Sequence, residues 1–311
     1  MSYEELLTRE ALADERFVVM TAENRALVRN IHAHLGNRFI DTGITEQTMI
    51  GAAAGLALRG RIPVVHALAS FLSMRAFEFV RTDAGIPNLP LKLSSFIPGF
   101  LSDGNGPTHQ AIEDISLMRG IPNMTVFSPA DEDDLIKMLP EIWSYPAPSY
   151  VRINTRNTDY VHVPFEWGKA EVISEGTDVT ILTYGLLFEQ TLEAVNILKD
   201  EGLSVGLVNM RSLKPVDEQA ILKAAKSNLL VTVEDHFLTG GLYSIIAEVL
   251  LQHQTTARVL PFALNEKWFK PSLLPNVLLN EGFTGKQIAE KILGYDTKAI
   301  QTKIAAQEFS E

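Results

Sequence analysis

The 311-residue sequence predicts an α/β protein with two three-layer α/β domains, each built on a mainly parallel sheet. Short apolar segments of strand length alternate with segments whose apolar residues recur at helical spacing. This alternation is typical of parallel sheets covered by helices on both faces. It stops between residues 155 and about 177, which contain Pro164 and Gly168, and then resumes. We therefore expect a first domain over residues 1–165 and a second over residues 166–311.

The apolar spacing assigns the elements in chain order. In the first half it predicts strands at residues 16–20, 38–42, 64–67, 89–96, 124–127 and 149–154, and helices at residues 3–13, 26–34, 45–58, 70–84, 111–119 and 131–142. In the second half it predicts strands at residues 178–183, 204–210, 228–234 and 257–262, and helices at residues 188–200, 217–225 and 240–252. A final helix is expected to end at Leu293, and residues 297–311 are amphipathic enough to form another.

Composition excludes several classes of function. Hydrophobic residues make up 46% and charged residues 21% of the chain, as in folded globular proteins. No window approaches the ~20 apolar residues of a membrane span, and the acidic start lacks a secretory signal, so we expect a cytoplasmic enzyme without a membrane partner. The absence of cysteine rules out disulfides, thiolate metal sites and a cysteine nucleophile. A net charge of −11 argues against a nucleic-acid partner.

The first candidate site lies between a strand and a helix, in the segment Asp-Thr-Gly-Ile-Thr-Glu-Gln that ends at Gln47. Gly43 can adopt the backbone angles of a sharp turn. The helical spacing that begins at Thr45 places Glu46 beyond the carboxyl end of a strand, where open parallel sheets bind ligands. Taken alone, Glu46 also fits an acid that only complements the helix dipole.

The second candidate site is the loop Gly-Asn-Gly-Pro-Thr-His-Gln, residues 104–110. Its two glycines and its proline are typical of a tight, rigid turn beyond a strand. An imidazole at the end of such a loop, His109, suits proton transfer or recognition of a hydroxyl. The alternative is a turn in which Thr108 and His109 cap the next helix.

Other catalytic motifs are missing from the sequence. It contains no Walker loop, no Gly-x-Gly-x-x-Gly after a strand, no His-Glu-x-x-His and no nucleophile elbow. His32 and His34 are two residues apart and would not share a helix face. We therefore predict no metal site in this chain.

Five segments of the first half together resemble one family. They are Asp-Thr-Gly-Ile-Thr-Glu-Gln, Ala-Ser-Phe-Leu, Asn-Gly-Pro-Thr-His-Gln, Leu-Met-Arg-Gly-Ile-Pro-Asn-Met and Ser-Pro-Ala-Asp-Glu. Their order and spacing resemble the transketolase family of thiamine-diphosphate enzymes. The resemblance continues through residues 213–217, 234–236 and 240–242 and covers nearly the whole chain. It extends only to the family's carboxyl-terminal half, the pyrimidine-binding domain followed by the C-terminal domain.

The resemblance implies how this chain binds the cofactor. Glu46 matches the glutamate that hydrogen-bonds the aminopyrimidine ring and favours its imino tautomer, which supplies a base beside the thiazolium carbon. Phe71 resembles the aromatic residue that packs on the pyrimidine, although core packing explains it equally well. Met74 stands where transketolases often place a second aromatic residue, and Ile44 is expected to contact the same ring.

The resemblance also implies how the chain binds substrate. His109 resembles the histidine that contacts the sugar oxygens near the reacting carbon. Asn105 stands where many transketolases carry an aspartate, and because an amide has no charge and also donates, the choice of donor sugar is expected to differ. Arg119 and Arg156 are further candidates for substrate binding. Arg119 fits a surface position equally well, and Arg156 needs a shift of one residue to match the family's phosphate-binding arginine.

One part of the family pattern is absent. The family holds its metal and diphosphate with a Gly-Asp-Gly motif and a following asparagine, whereas the only Asp-Gly here is Asp103–Gly104, in the substrate loop. The resemblance therefore implies a beta-type subunit of a split transketolase. A separate alpha-type subunit would bind the diphosphate with Mg²⁺ or Ca²⁺, in an assembly with two of each chain.

Three alternatives remain open on the sequence. The beta subunit of a 2-oxo-acid dehydrogenase has the same architecture and the Gly-Ile-x-Glu-Gln start, but the Gly-Pro-Thr-His loop favours a sugar. A 1-deoxyxylulose-5-phosphate synthase shares Ser-Phe-Leu and Thr-His-Gln, but it is a single long chain. The chain could also be a non-catalytic partner. If it is a transketolase, its substrate is a sugar or a sugar phosphate.

Overall fold

The structure is a computed structural model that describes residues 1–295, so the helix expected at residues 297–311 lies outside the described residues. The helices are α1 (Tyr3–Ala13), α2 (His32–Leu35), α3 (Glu46–Leu58), α4 (Phe77–Phe79), α5 (Asp114–Arg119), α6 (Glu132–Ser144), α7 (Phe188–Asp200), α8 (Glu218–Ala224), α9 (Leu242–Gln252) and α10 (Leu274–Glu281). Residues 285–295 are also helical.

Twelve strands form two sheets in the described part of the chain. They are β1 (Phe17–Thr21), β2 (Phe39–Asp41), β3 (Ile62–Leu68), β4 (Lys92–Phe96), β5 (Thr125–Phe127), β6 (Ser149–Ile153), β7 (Glu171–Ser174), β8 (Val179–Thr183), β9 (Val205–Asn209), β10 (Ser212–Lys214), β11 (Leu229–Phe237) and β12 (Val259–Leu264). The predicted fold class, α/β with mainly parallel sheets, is confirmed.

The first sheet has the strand order β10-β5-β6-β4-β3-β1-β2. Its pairs are parallel apart from β10, which joins antiparallel to β5 although it comes from the second half of the chain. The second sheet has the order β12-β11-β8-β9-β7, with only β7 antiparallel. One apolar core reaches from Leu93 of the first sheet to Leu182 and Leu230 of the second, so the two sheets share a continuous core.

Most predicted elements are present, and the differences are local. Residues 26–34 form only the short α2. The predicted helix at residues 70–84 consists of π-helical turns at Phe71–Arg75 and Val80–Gly85 on either side of α4. The sequence did not predict β7, β10 or α10. No helix within residues 1–295 combines the length and the apolar character that crossing a membrane requires.

The topology brings the candidate residues to one edge of the first sheet. In the strand order, β2, β1, β3 and β4 are successive neighbours, and all of them are parallel. Their carboxyl ends therefore lie side by side. Glu46 follows β2, Phe71 follows β3, and His109 lies in the loop after β4, so these three side chains approach each other at that edge.

Candidate active site

Glu46 is the first residue of α3 and is only 2% exposed. A tight turn places it there: Gly43 has φ +70°, and its amide donates to Asp41 Oδ1 at 3.0 Å. Thr45 Oγ1 donates to the carbonyl of Thr42 at 2.9 Å and closes the same turn. The free amides of a helix N-terminus favour a nearby carboxylate.

A π-helical turn directly after β3 supplies the groups that face Glu46. Arg75 Nη1 donates to Glu46 Oε2 at 3.0 Å and to Oε1 at 3.2 Å, and the guanidinium carbon lies 3.8 Å from the centre of the Phe71 ring. The wider π-turn is closed by the amide of Ala76, which donates to the Phe71 carbonyl at 2.9 Å. Single π-helical turns occur frequently at functional sites.

His109 completes this group of side chains from the loop after β4. Its ring centre lies 5.2 Å from that of Phe71, in an edge-to-face arrangement, and its Nδ1 lies 2.9 Å from Thr108 Oγ1. Asn105 is exposed in the same loop, and its backbone N–H donates to the carbonyl of Ser102 at 3.0 Å. The structure therefore brings Glu46, Phe71 and His109 into one chain of contacts that passes through Arg75.

Phe71 and Arg75 of this group line an open cleft of about 420 Å³, together with Ser70, Met74, Pro107, Thr108, Glu113 and Trp268. Glu46 and His109 do not line the cleft themselves but contact two residues that do, Arg75 and Phe71. The hydroxyl of Ser70 is buried and has no hydrogen-bond partner within residues 1–295. Burial raises the pKa of the Glu113 carboxyl, and the charge of Asp114 raises it further. Ile44 is 68% exposed on the turn before Glu46.

The donor set of this cleft fits the aminopyrimidine half of thiamine diphosphate. A buried carboxylate suits the amino and ring nitrogens, Phe71 and Met74 offer apolar contact, and the unpaired Ser70 hydroxyl can take up a polar atom. A diphosphate needs a metal cation and backbone donors. The aspartate of the only Asp-Gly pair, Asp103, could serve as a metal ligand, but both of its carboxylate oxygens already accept backbone amides. Its Oδ1 accepts the amide of Gly104 at 2.6 Å, and its Oδ2 accepts the amide of Leu274 at 3.0 Å.

A buried ion group ties the loop that carries His109 to the second sheet. Arg152 of β6 donates from Nε to Asp114 Oδ2 at 3.0 Å and from Nη1 to Asp235 Oδ1 at 2.7 Å, and all three side chains are at most 2% exposed. Asp235 also accepts the amide of Phe100 at 3.2 Å. A Cβ on Gly99 would lie 1.8 Å from Asp235 Oδ2, so the loop can approach this closely only with glycine there.

Of the neighbours of Asp235, Glu234 is engaged inside the C-terminal half, and His236 contacts α5 of the first half. Glu234 accepts the amides of Leu242 at 2.6 Å and Tyr243 at 2.9 Å, at the start of α9. Burial raises the pKa of Glu234 to about 8, against these two donors. His236 Nε2 accepts the amide of Ser116 at 3.4 Å, and burial lowers the pKa of this imidazole. These two residues connect elements and do not reach the cleft.

The two candidate arginines lie away from this cleft. Arg119, at the end of α5, is paired with Glu248 of α9, with Nη1 to Oε1 at 3.0 Å. Arg156 borders a different groove, where its Nη2 lies 3.9 Å from Glu189 Oε2 and both side chains are 49% exposed. Substrate binding by either residue stays a prediction from the family pattern, without support from the contacts of this cleft.

One buried cluster within residues 1–295 has the composition of a metal site. Ligand atoms of Asp134, His162 and Glu171 lie within 4.8 Å of one another. However, Arg211 lies 3.3 Å from Asp134 and 2.6 Å from Glu171, and His162 Nδ1 lies 2.6 Å from Glu171. Because a guanidinium among the ligands repels a cation, this group is better described as a cluster of ion pairs.

Sequence reasoning missed four residues of the cleft: Ser70, Arg75, Glu113 and Trp268. Arg75 follows Phe71 by four residues in a segment predicted to be helical, so helical spacing could have found it. Ser70 directly precedes Phe71, which was named, and Glu113 lies four residues after His109. Trp268 had no such signal, because it lies in an aperiodic segment far along the chain.

Both halves of the chain match domains of known proteins. The transketolase pyrimidine-binding domain matches residues 1–159, and the transketolase C-terminal domain matches residues 168–288. The 6-deoxy-6-sulfo-D-fructose transketolase subunit SqwH of Clostridium sp. (strain MSTE9) is 37% identical over 255 residues, which is 80% of this chain and 79% of that protein. The 1-deoxy-D-xylulose-5-phosphate synthase of Dictyoglomus thermophilum is 36% identical over 262 residues, 82% of this chain but 42% of that enzyme.

Among solved structures, a split-gene transketolase described as an inactive beta4 tetramer matches with a TM-score of 0.85 and 32% identity, covering 94% of this chain and 96% of that chain. The transketolase of Leishmania mexicana shares the fold, with a TM-score of 0.76 at 18% identity, over 93% of this chain and 44% of that one. The chain therefore belongs to the transketolase family, of which it carries the pyrimidine-binding and C-terminal domains.

Proposed function

We propose that this chain is the beta-type subunit of a split, thiamine-diphosphate-dependent transketolase that moves a two-carbon ketol unit from a ketose to an aldose. The observation that carries the proposal is the Glu46 carboxylate, buried at the edge of the cleft and held by Arg75 beside Phe71. This is the arrangement that the pyrimidine half of the cofactor requires, and it lies at the ligand-binding edge of a parallel sheet.

Each side chain has a specific role in this proposal. Glu46 would accept a hydrogen bond from the pyrimidine ring and so favour its imino tautomer, while Phe71 and Met74 would pack on the ring. His109 and Asn105 hydrogen-bond the hydroxyls of the sugar. When bound, thiamine diphosphate supplies the nucleophilic carbon and the electron sink on which the carbon–carbon bond of the donor is broken.

The diphosphate and its Mg²⁺ or Ca²⁺ are assigned to a separate alpha-type subunit, in an assembly of two chains of each kind. Asp103, the aspartate of the only Asp-Gly pair, accepts backbone amides with both carboxylate oxygens, so it is not available to hold the metal ion that binds the diphosphate. Two relatives support a divided enzyme: one is named a transketolase subunit, and one was solved as an inactive tetramer of beta chains.

Formation of a complex with the alpha-type chain tests whether the enzyme is divided between two chains. Size-exclusion chromatography with light scattering should show a larger complex when the alpha-type chain is added, and ketose cleavage should need both chains and thiamine diphosphate. Full turnover by this chain alone would refute the proposal. The synthase alternative would be favoured instead if the complex made a deoxyketose phosphate from pyruvate and glyceraldehyde phosphate. A relative with that name supports this alternative.

Glu46→Gln tests the role of the carboxylate in the assembled complex. Because groups that move or position protons commonly contribute ~10²–10⁴-fold, turnover should fall by about that factor. Glu78→Gln, an exposed residue of α4, is the matched control and should keep its rate. If Glu46→Gln keeps the wild-type rate, this chain is a scaffold and not a catalytic subunit.

A further inference from the structure

The C-terminal half contributes one large side chain to the cleft. Trp268 lines the cleft together with Phe71, Met74 and Thr108, although it lies almost two hundred residues after Phe71 in the chain. Its side chain is 56% exposed, and its ring centre lies 6.3 Å from that of Phe237, in an edge-to-face arrangement. An aromatic side chain has a large apolar surface to bury, and Trp268 leaves more than half of it open at the cleft.

The position of Trp268 is set by its neighbour in the chain. Phe269 is 1% exposed, and its ring lies 5.2 Å from that of Phe100 in the core. Burial of Phe269 anchors the backbone next to Trp268, whose own side chain stays exposed. The indole is therefore presented on a fixed backbone.

The same segment is fastened to the loop that carries His109. Gln110 Nε2 donates to the Phe269 carbonyl at 2.8 Å, and the amide of Ser272 donates to the Asp103 carbonyl at 3.1 Å. Asp103 Oδ2 also accepts the amide of Leu274 at 3.0 Å. The two segments thus form one unit, so Trp268 keeps a constant position relative to the sugar-binding loop.

We propose that Trp268 is a specificity-determining residue, and that its indole face covers the C–H face of the donor sugar while the adjoining loop that carries His109 binds the hydroxyls. An indole face suits this task because a sugar chain alternates C–H groups with hydroxyls, and tryptophan combines an apolar face with an N–H donor. This inference rests on the proposed function, and it extends donor selection to the C-terminal domain.

The test uses the complex with the alpha-type chain, loaded with thiamine diphosphate, and compares Trp268→Ala and Trp268→Phe with wild type. Loss of one aromatic contact should raise the KM for the ketose donor about five- to tenfold in Trp268→Ala and less in Trp268→Phe. The affinity for thiamine diphosphate, measured by calorimetry, should change less than twofold. Leu273→Ala, which is 73% exposed on the same segment and does not line the cleft, should match wild type.

Fluorescence gives a second measurement that does not depend on turnover. The chain has three tryptophans; Trp143 is 2% exposed, and Trp167 is stacked on Tyr145 with ring centres 4.2 Å apart. Addition of the ketose should therefore shield Trp268 from acrylamide, and this protection should be absent in the Trp268→Phe complex.

Two results would overturn the inference. One is an unchanged donor KM in Trp268→Ala. The other is weaker binding of the alpha-type chain with normal donor KM, which would make the indole a contact between subunits. Failure of the proposed function is distinguishable, because the wild-type complex would then turn over no ketose, whereas the Trp268 inference fails when the wild-type complex is active and Trp268→Ala has the same donor KM.

Discussion

The stability of this protein should depend on pH through one buried histidine, and His162→Gln tests this. His162 lies in the irregular segment between the two sheets, with its side chain fully buried. Its Nδ1 lies 2.6 Å from Glu171 Oε2, and its Nε2 lies 3.3 Å from Asp131 Oδ2. Asp134 and Arg211 complete what we call the linker cluster, which joins the start of α6 to β7 and the end of β9.

The sign of the effect follows from the pKa of His162. Burial alone lowers this pKa, but the hydrogen bonds to Asp131 and Glu171 and the charge of Asp134 outweigh burial and raise it to about 9, from 6.5. A base with a raised pKa in the folded state contributes its full stabilisation below pH 6.5. That contribution is lost as the pH rises through 9. At ~1.4 kcal/mol per pKa unit, it amounts to at most about 3 kcal/mol.

Other buried groups titrate in the same range, so the wild-type curve alone does not isolate His162. Burial lowers the pKa of Lys92 to about 7, which makes the protein more stable as the pH rises from 7. Glu234, with its pKa raised to about 8, acts in the opposite direction. Within the cluster, the pKa of Glu171 is about 2, because hydrogen bonds from His162 and the backbone outweigh burial, so Glu171 stays ionised throughout.

The informative quantity is therefore the difference in free energy of unfolding between wild type and His162→Gln, measured by urea denaturation from pH 6 to pH 9.5. We expect the variant to be less stable at pH 6 by up to about 3 kcal/mol, and the difference to shrink towards pH 9.5. His253→Gln removes a half-exposed partner of Glu218 and should leave the curve unchanged. A wild-type-minus-variant difference that stays constant with pH would refute the assignment of the proton to His162.

Two further changes test the site. Gly99→Ala should lower the free energy of unfolding, measured by urea denaturation, by at least ~3 kcal/mol, because its Cβ would lie 1.8 Å from the Asp235 carboxylate. The control Gly282→Ala is also at positive φ but in open space, so it should cost only ~1 kcal/mol. Equal losses in the two variants would contradict the clash. Asn105→Asp should change the relative rates across a panel of ketose donors, and unchanged ratios would mean that Asn105 does not contact the donor.

The fold class was predictable because the spacing of apolar residues along a segment shows which face of a helix or strand is buried. Helix α7 was predicted with its observed bounds, Phe188–Asp200, since its apolar residues recur at threes and fours. Strand β10 was not predictable. It has only three residues, Ser212–Lys214, and it exists because Ser212 and Lys214 pair with β5, far away in the sequence. No local pattern records such a pairing.

The candidate site divides in the same way. Glu46 could be named because a strand end, a glycine turn and a helix start are all local features, and the parallel order of the strands then brings Phe71 and His109 beside it. The ion pair between Arg119 and Glu248 depends on how α9 packs against α5, and the residue spacing within α5 does not reveal that packing. Trp268 reaches the cleft only through tertiary contacts.

The C-terminal half has no catalytic motif, yet its contacts converge on the loop that carries His109. Asp235 holds the beginning of that loop by accepting the backbone amide of Phe100, and the same carboxylate is bound by Arg152, which also fixes Asp114 just beyond the end of the loop. Between these points, residues 269–274 bind the loop through Asp103 and Gln110. A loop held at both ends and in the middle is already ordered, so it would lose little further entropy on binding a ligand. The C-terminal domain thus acts on the candidate site by fixing the geometry of the loop, even though Glu234, Asp235 and His236 do not reach Glu46.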